Sequence, residues 1–482
     1  MFAMRPIGYV IGLFVTFLGV TMIPVAVIDA VSAGADWRAF SLSATITLVC
    51  GGGLVLTCGS GKQSGLSIQQ TFILTTVAWL AMPLFGALPF MFGSVGLSFG
   101  DAMFEAVSGI TTTGATVLEG LDTTSAGILL WRGLLQWIGG LGIVVVAIAI
   151  LPQLQVGGMQ LFRSEAFDTF GKILPRAAEI AAQLGYIYLG LTGAAVLVYA
   201  ACGMDAFDAV VHAMTTIATG GLANYDNSFG HYDNAAIHYS AVVFMLLSAL
   251  PYVRFVQMLN GSAKPMLRDP QVRTFFLVVG VVVGVLSYVQ WSITSDAEGS
   301  FRSALFNTVS IITGTGYATE DYGLWGPFAM MVFFLIALSG GCAGSTSCSV
   351  KIFRYQVLAA TVRAQIHALH NPSSVAKARY DGRPISEQVL SSVMAFFMLF
   401  FLTLALVTLA LSLIGLDFLT ALSGAVATLG NVGPGLGDVI GPSGNYASFP
   451  MAAKWTCIVA MLIGRLELLS VFVMMAPAFW RR

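Results

Sequence analysis

The sequence predicts an all-α integral membrane fold of ten transmembrane helices, with eight of them arranged as four repeated helix, half-helix, helix units around one central axis. Three observations carry that prediction. The 482-residue chain is 57% hydrophobic and only 9% charged, with a mean hydropathy of +0.85. Soluble proteins carry about 25% charged residues, so 22 basic and 23 acidic side chains cannot cover a water-exposed surface of this size. Ten stretches then approach the ~20 apolar residues that cross a bilayer. Finally, four shorter apolar stretches, too short to span, each end in a glycine-containing polar loop.

The spans are placed at 6–29, 39–58, 67–92, 127–151, 179–202, 235–259, 273–294, 327–355, 387–414 and 451–478. A single Arg5 precedes the first, whose apolar run is longer than the 7–15 residues of a signal-peptide core, so it reads as a retained helix. Residues 1–66 thus form two extra N-terminal helices, 67–151 the first unit, 152–178 a cytosolic loop and 179–260 the second unit. A cytosolic loop at 261–272, a third unit at 273–355 with a broken last helix, a cytosolic loop at 356–386 and a fourth unit at 387–482 complete the chain. Short cytoplasmic loops accumulate Lys and Arg. With both termini cytoplasmic, most basic residues, among them Arg254, Arg268, Arg363, Arg379 and Arg383, fall on that side. Most acidic residues, including Asp29, Asp36, Asp101, Glu105, Asp208 and Asp226, fall on the other, an acidic outer face that concentrates cations. The six cysteines lie in or beside apolar runs and read as small core residues. A net charge of -1 leaves no basic face for nucleic acid.

The four short stretches align as an internal repeat. They are Phe104 to Gly114, Asp208 to Gly220, Phe306 to Gly316 and Ser423 to Gly433. Asp101, Asp205 and Asp417 stand at or just before three of the half-helix starts, where a carboxylate suits unpaired N–H groups and the helix dipole. Irregular backbone at membrane depth is tolerated where it is buried in protein or lines a water-filled cavity, so four such loops imply one shared central pore. Half-helices pointing inward place their C-terminal partial negative charge and the following carbonyls on its axis, which favours a cation. Glycine turns a carbonyl toward that axis without steric penalty. The expected ligands are the carbonyls of Thr112 and Thr113, Ala218 and Thr219, Gly314 and Thr315, and Asn431 and Val432, closed by Gly114, Gly220, Gly316 and Gly433.

These residues carry a resemblance. The stretches Ser108-Gly-Ile-Thr-Thr-Thr-Gly-Ala-Thr116, Gln136-Trp-Ile-Gly-Gly-Leu-Gly142, Gly203-Met-Asp-Ala-Phe-Asp208, Gly340-Gly-Cys-Ala-Gly-Ser-Thr346, Asn431-Val-Gly-Pro-Gly-Leu-Gly437 and Gly464-Arg-Leu-Glu467 are similar to those of TrkH-type potassium transporters, within the wider TrkH/KtrB/HKT superfamily. The resemblance implies a K⁺ pathway of four M1-P-M2 units in one subunit, with filter carbonyls holding K⁺ as the bound ion and no other cofactor in the chain. It further implies a homodimer in the bacterial inner membrane and a cytosolic TrkA-like nucleotide-binding ring as regulator. The two extra N-terminal helices favour TrkH over the shorter KtrB. Gly114 stands where serine is associated with sodium permeation, which favours potassium. Gly314-Thr315-Gly316 departs from the more usual Thr-Thr-Ala-Gly.

Two features fall below the expected filter. The stretch Ser339 to Ser349, containing Gly340, Gly341, Gly344, Ser345 and Thr346, is built of eleven small residues in the middle of one predicted span. Glycines weaken a helix by up to about 1 kcal/mol each, and small residues also serve close helix packing. The residues leave both readings open, and the resemblance implies an intramembrane gating loop, made stiffer here by Ser347, Cys348 and Ser349. Arg465 lies midway along the last span, where burial costs at least ~2.5–3.5 kcal/mol on insertion scales and marks a functional residue by default. A pairing with Glu467 is the alternative, although i,i+2 residues face apart. The expectation is that Arg465 and the small-residue loop form a barrier beneath the filter. His367 and His370 lack further metal ligands, and Leu56 to Gln63 lacks the first glycine and the Ser or Thr of a phosphate loop. No catalytic set is present, so the chain reads as a transporter and not an enzyme. A symporter coupling K⁺ to H⁺ or Na⁺ is the rival transport reading, although parallel repeats argue against the inverted architecture common in symporters.

Overall fold

The computed structural model describes residues 4–59, 66–146, 177–373, 377–466 and 468–480. The loop expected at 152–178 lies almost wholly outside them, as do residues 147–151 of the fourth span, the Lys62-Gln63 end of the rejected phosphate loop, and Glu467. The described chain is predominantly helical, with one two-residue hairpin pairing Arg379–Tyr380 with Arg383–Pro384.

Seven described helices are long and apolar enough to cross a membrane, and one bent pair makes eight. In chain order the helices used below are α1 (Arg5–Val31), α2 (Trp37–Thr57), α3 (Ile68–Gly86), α4 (Phe99–Ile110), α5 (Ala126–Val145), α6 (Ala177–Ala201), α7 (Ala206–Ile217), α8 (Ala235–Ser248) and α9 (Tyr252–Leu259). They continue as α10 (Pro270–Thr294), α11 (Ala297–Thr313), α12 (Pro327–Ala337), α13 (Ile352–His370), α14 (Glu387–Leu413), α15 (Phe418–Leu429), α16 (Met451–Arg465) and α17 (Leu468–Met475). Their outward faces carry exposed large apolar side chains such as Leu56, Val281, Leu406 and Met398, as expected of surfaces solvated by lipid.

Among the described residues, three of the ten expected spans are interrupted by more than a single residue. The stretch 327–355 is helical only to Ala337 and again from Ile352. The last stretch divides into α16 and α17. The span at 235–259, read from sequence as continuous, bends by 93° between α8 and α9. Pro251 ends the first half, and the freed backbone groups find partners across the bend: Ala249 O accepts from Cys342 N at 3.0 Å, and Tyr252 N donates to Gly344 O at 2.9 Å. The stretch 356–386 is not a loop throughout, because α13 continues to His370.

The three aspartates at the short helices act at their N-termini. Asp205 and Asp417 are N-caps, accepting from Phe207 N and Thr420 N. Before α4 the cap is Ser98, whose hydroxyl accepts from Asp101 N and donates to Asp101 Oδ2.

The N-terminal hairpin is fastened by two buried carboxylates, Asp29 and Asp36. Asp29 accepts from Asp36 N at 2.8 Å and from Gly127 N at 2.9 Å, so it closes its own hairpin turn and caps α5 from outside. Gly127 and Gly34 are glycines of necessity here, since a Cβ at either would lie within 2.7 Å of Asp29 Oδ1. Asp36 accepts from Ser94 Oγ at 2.8 Å and also from the Ser125 hydroxyl. Replacing Asp29 by alanine leaves two buried N–H groups without partners, at about 1–3 kcal/mol each. Asp29→Ala is expected to lower the melting temperature of the detergent-solubilised protein clearly more than Asp29→Asn, followed by intrinsic tryptophan fluorescence on heating.

Candidate functional site

Four short helices, α4, α7, α11 and α15, each run into an irregular loop with the same hydrogen-bond plan. Thr112 N, Thr219 N, Gly314 N and Asn431 N donate three residues back, to Gly109, Thr216, Ile311 and Thr428. The next residue donates five back: Thr113 N to Ser108 O, Gly220 N to Thr215 O and Thr315 N to Ser310 O, each at 2.9 Å, with Val432 N to Ala427 O also at 2.9 Å. The loops therefore satisfy their own helix ends, as irregular backbone away from water must.

The turn depends on left-handed backbone at two positions per loop. The first position is Thr112, Thr219, Gly314 and Asn431, with φ of 54°, 50°, 76° and 51°. The second, two residues on, is Gly114, Gly221, Gly316 and Gly433, with φ of 84°, 77°, 84° and 98°. The second loop thus turns one residue later than the sequence alignment had it: Gly221, not Gly220, is the counterpart of Gly114.

The four glycines close a cycle. A Cβ on Gly114 would lie 2.1 Å from Gly220 O, one on Gly221 1.8 Å from Thr315 O, one on Gly316 2.2 Å from Val432 O, and one on Gly433 2.6 Å from Thr113 O. Loop one touches loop two, two touches three, three touches four and four returns to one, always glycine against the carbonyl preceding the neighbour's glycine. Any side chain at these positions would meet backbone, which cannot yield cheaply. A cavity of about 70 Å³ adjoins the cycle, lined by Gly114, Gly221, Gly316 and Gly433 together with Tyr225 and Asp226. Of the expected ligands, Thr112, Thr113, Thr219, Gly314, Thr315, Asn431 and Val432 fall in the matched positions, while Ala218 stands one residue before them.

The scaffold behind the loops explains the Gln136 to Gly142 stretch. A Cβ on Gly139 would lie 1.8 Å from Ile110 O, and one on Gly140 2.9 Å from Ala218, so α5 approaches the ends of two short helices at backbone contact. Gln136 Nε2 donates to Gly220 O at 2.6 Å while its Oε1 accepts from Leu222 N at 3.1 Å, clamping the second loop on both sides of Gly221. Asn431 Nδ2 joins the fourth loop to the first through Thr113 Oγ1 at 2.9 Å and to α16 through Met461 O at 3.0 Å. Gly464 permits that approach, because a Cβ there would meet Leu429 O at 2.1 Å.

Several charges on the side read from sequence as the outer face are buried, among them Asp29, Asp36, Glu105 and Asp208. Glu105 and Arg132 are buried and paired, Arg132 Nε to Glu105 Oε1 at 2.7 Å. Glu105 also accepts from Thr116 Oγ1 and Val117 N, and Arg132 donates to Ala223 O at 2.9 Å, so one ion pair ties loop one to loop two. The sequence signal was opposite charge within two apolar stretches. Lys454, likewise buried, pairs with Asp101 at 2.6 Å.

The small-residue stretch is an irregular segment packed against the loops. Gly340 N donates to Val350 O, Gly341 N to Ser347 Oγ, Ala343 N to Gln271 Oε1, and Thr346 Oγ1 to Ser248 O. Gly344 has a φ of 72°, and Ser345 Oγ donates to Cys342 O at 2.7 Å. Ser349 N donates to Gly430 O at 2.9 Å, at the end of α15. Arg465 is only 4% exposed; its Nη1 donates to Cys348 Sγ at 3.0 Å, and its Nε and Nη2 have no hydrogen-bond partner among the described residues. Trp79 offers a ring face with its centroid 5.8 Å from the guanidinium carbon. Among the described residues, no group of three or more His, Cys, Asp or Glu is placed to hold a metal ion.

Comparison with known proteins gives a consistent result. The sequence profile of the TrkH family, described as cation transport protein, matches residues 38–482. The Trk system potassium uptake protein TrkI of Halomonas elongata is 47% identical over 86% of this chain and 84% of its own length. The Trk system potassium uptake protein TrkH of Escherichia coli is 37% identical over 99% of both chains. The crystal structure of the potassium transporter TrkH from Vibrio parahaemolyticus superposes with a TM-score of 0.91 at 33% identity, covering 100% of both chains.

Removing one partner of a buried ion pair costs about 3–5 kcal/mol, whereas replacing both by apolar or neutral groups costs far less. Glu105→Gln is therefore expected to destabilise the protein strongly, and Glu105→Gln combined with Arg132→Met to recover part of the loss, measured by thermal unfolding in detergent.

Proposed function

The chain belongs to the TrkH family of cation transport proteins, and from that premise we propose that it takes up potassium ions across a bacterial inner membrane through a filter made by its four loops. The observation that carries this reading is the closed cycle of glycines and carbonyls. Carbonyl oxygens gathered at the C-terminal ends of four short helices replace a cation's hydration shell and repel anions. In this reading the ligands are the carbonyls of Thr112 and Thr113, Thr219 and Gly220, Gly314 and Thr315, and Asn431 and Val432. Gly220 O has a second lone pair free beyond its bond to Gln136.

The same reading gives the chain ten spans, counting α12 with α13 and α16 with α17 as broken crossings, and makes 67–151, 179–260, 273–355 and 387–482 four M1-P-M2 units that each begin and end in the cytoplasm. The segment 338–351 and Arg465 form the barrier below the filter. The guanidinium, with two nitrogens that have no hydrogen-bond partner among the described residues, repels a cation, and the segment fills the space beneath the loops. A TrkA-like nucleotide-binding ring docks on the cytosolic basic surface that carries Arg363, Arg379 and Arg383, and the transporter works as a homodimer.

The test is rubidium flux into proteoliposomes holding the purified protein. Uptake is expected to follow an imposed membrane potential without a proton or sodium gradient, with K⁺ competing far better than Na⁺; uptake that requires either gradient overturns the channel-like mechanism in favour of a symporter. Arg465→Ala is expected to raise basal flux in a protein of unchanged melting temperature, and unchanged flux would remove Arg465 from the barrier.

A further inference from the structure

We propose that Cys348 is a positioning residue that couples the Arg465 barrier to the filter, through a hydrogen-bonded relay from Arg465 to the thiol to Thr112. The proposal rests on the reading of Arg465 and segment 338–351 as a barrier. Cys348 is 4% exposed and its sulfur lies between two groups of different elements: Arg465 Nη1 at 3.0 Å and Thr112 Oγ1 at 3.5 Å.

The chemistry fixes the direction of the first link. A guanidinium only donates, so the sulfur accepts from Arg465 and its S–H is left to donate onward. It reaches Thr346 O at 3.9 Å, and the sulfur also shares a hydrogen bond at 3.5 Å with Thr112 Oγ1 of the first loop, in which either the thiol or the hydroxyl donates. Thr112 is the left-handed residue of that loop, with φ of 54°, and its carbonyl is one of the proposed filter ligands. A displacement of Arg465 is therefore felt, through one sulfur atom, at the backbone turn that aims a ligand.

A second observation seats Cys348 independently. The third loop has glycine where the other three have Thr112, Thr219 and Asn431 at the same left-handed position. A Cβ on Gly314 would lie 3.0 Å from Cys348 Cβ and 3.2 Å from Cys348 N. The space that a side chain takes in the other loops is taken here by the cysteine, so Cys348 touches loops one and three at equivalent positions. Arg465, with Nε and Nη2 unpartnered among the described residues, is oriented beneath the filter by its hydrogen bond to this thiol together with the Trp79 ring face.

Basal rubidium flux and K⁺ over Na⁺ competition are measured in proteoliposomes for wild type, Cys348→Ala, Cys348→Ser, Arg465→Ala and the Cys348→Ala/Arg465→Ala double variant, each checked for an unchanged melting temperature. Cys348→Ala is expected to raise basal flux about threefold or more, the scale of losing one ordinary hydrogen bond, and to weaken K⁺ preference. Cys348→Ser, whose hydroxyl accepts and donates in the same places, is expected to restore both. The double variant is expected to match Arg465→Ala alone, because both break one relay. Flux within about twofold of wild type in Cys348→Ala, where Arg465→Ala leaks, or effects that multiply in the double variant, overturns the relay and leaves the barrier standing. No leak in Arg465→Ala overturns the barrier reading itself.

Discussion

Every irregular backbone group at membrane depth must find its partner inside the protein, because hydrocarbon offers none. The rest of this structure follows from how that demand is met. The four loops that end α4, α7, α11 and α15 satisfy themselves first, each folding two successive N–H groups back onto its own helix. This local closure forces left-handed backbone twice in each loop, and the second of those positions admits only glycine because a neighbouring loop's carbonyl is already there. The conformation of one loop thus fixes the place of the next, and four such dependencies return to their start.

The same demand explains the elements that are not helical where a span was expected. Segment 338–351 leaves the helix, and α8 bends from α9 beside it. The two breaks serve one another: carbonyl and amide groups released at Ala249 and Tyr252 pair with amide and carbonyl groups of Cys342 and Gly344. Gln271 and Ser248 take up two more donors of the segment. The result is a segment held by scattered hydrogen bonds instead of a regular ladder, directly against the ends of two of the four loops at Thr112 and Gly430. Arg465 is held differently, by a thiol and an aromatic face, and its Nε and Nη2 have no hydrogen-bond partner among the described residues.

Much of this was legible in the sequence. The apolar runs gave the long helices to within a few residues, since hydropathy over a span is a property of the residues themselves. The four loops announced themselves by glycine after a short apolar stretch. What could not be read are the relations between distant residues. Gly220 and Gly221 are adjacent, and composition cannot say which of two glycines takes positive φ; the decision is made by Thr315 O, which lies nearly a hundred residues away. Glu105 counted as an outer-face charge because a positive-inside tally sees side of membrane and not depth or pairing. The bend at Pro251 was masked by a continuous apolar run, and Asp29 gave no sign that its partner would be the amide of Gly127.

The four loops form a cycle in which Gly221 is the second loop's member. The most direct measurement is K⁺ against Na⁺ competition for rubidium flux in Gly221→Ala and Gly220→Ala, side by side. A Cβ at 221 meets the backbone oxygen of Thr315 at 1.8 Å on a left-handed residue, whereas one at 220 meets the far end of the Gln136 side chain at 2.3–2.6 Å, which can swing aside. Gly221→Ala is expected to lose K⁺ preference and most flux, while Gly220→Ala keeps a substantial share of both. The reverse result, with 221 tolerant and 220 intolerant, contradicts the cycle.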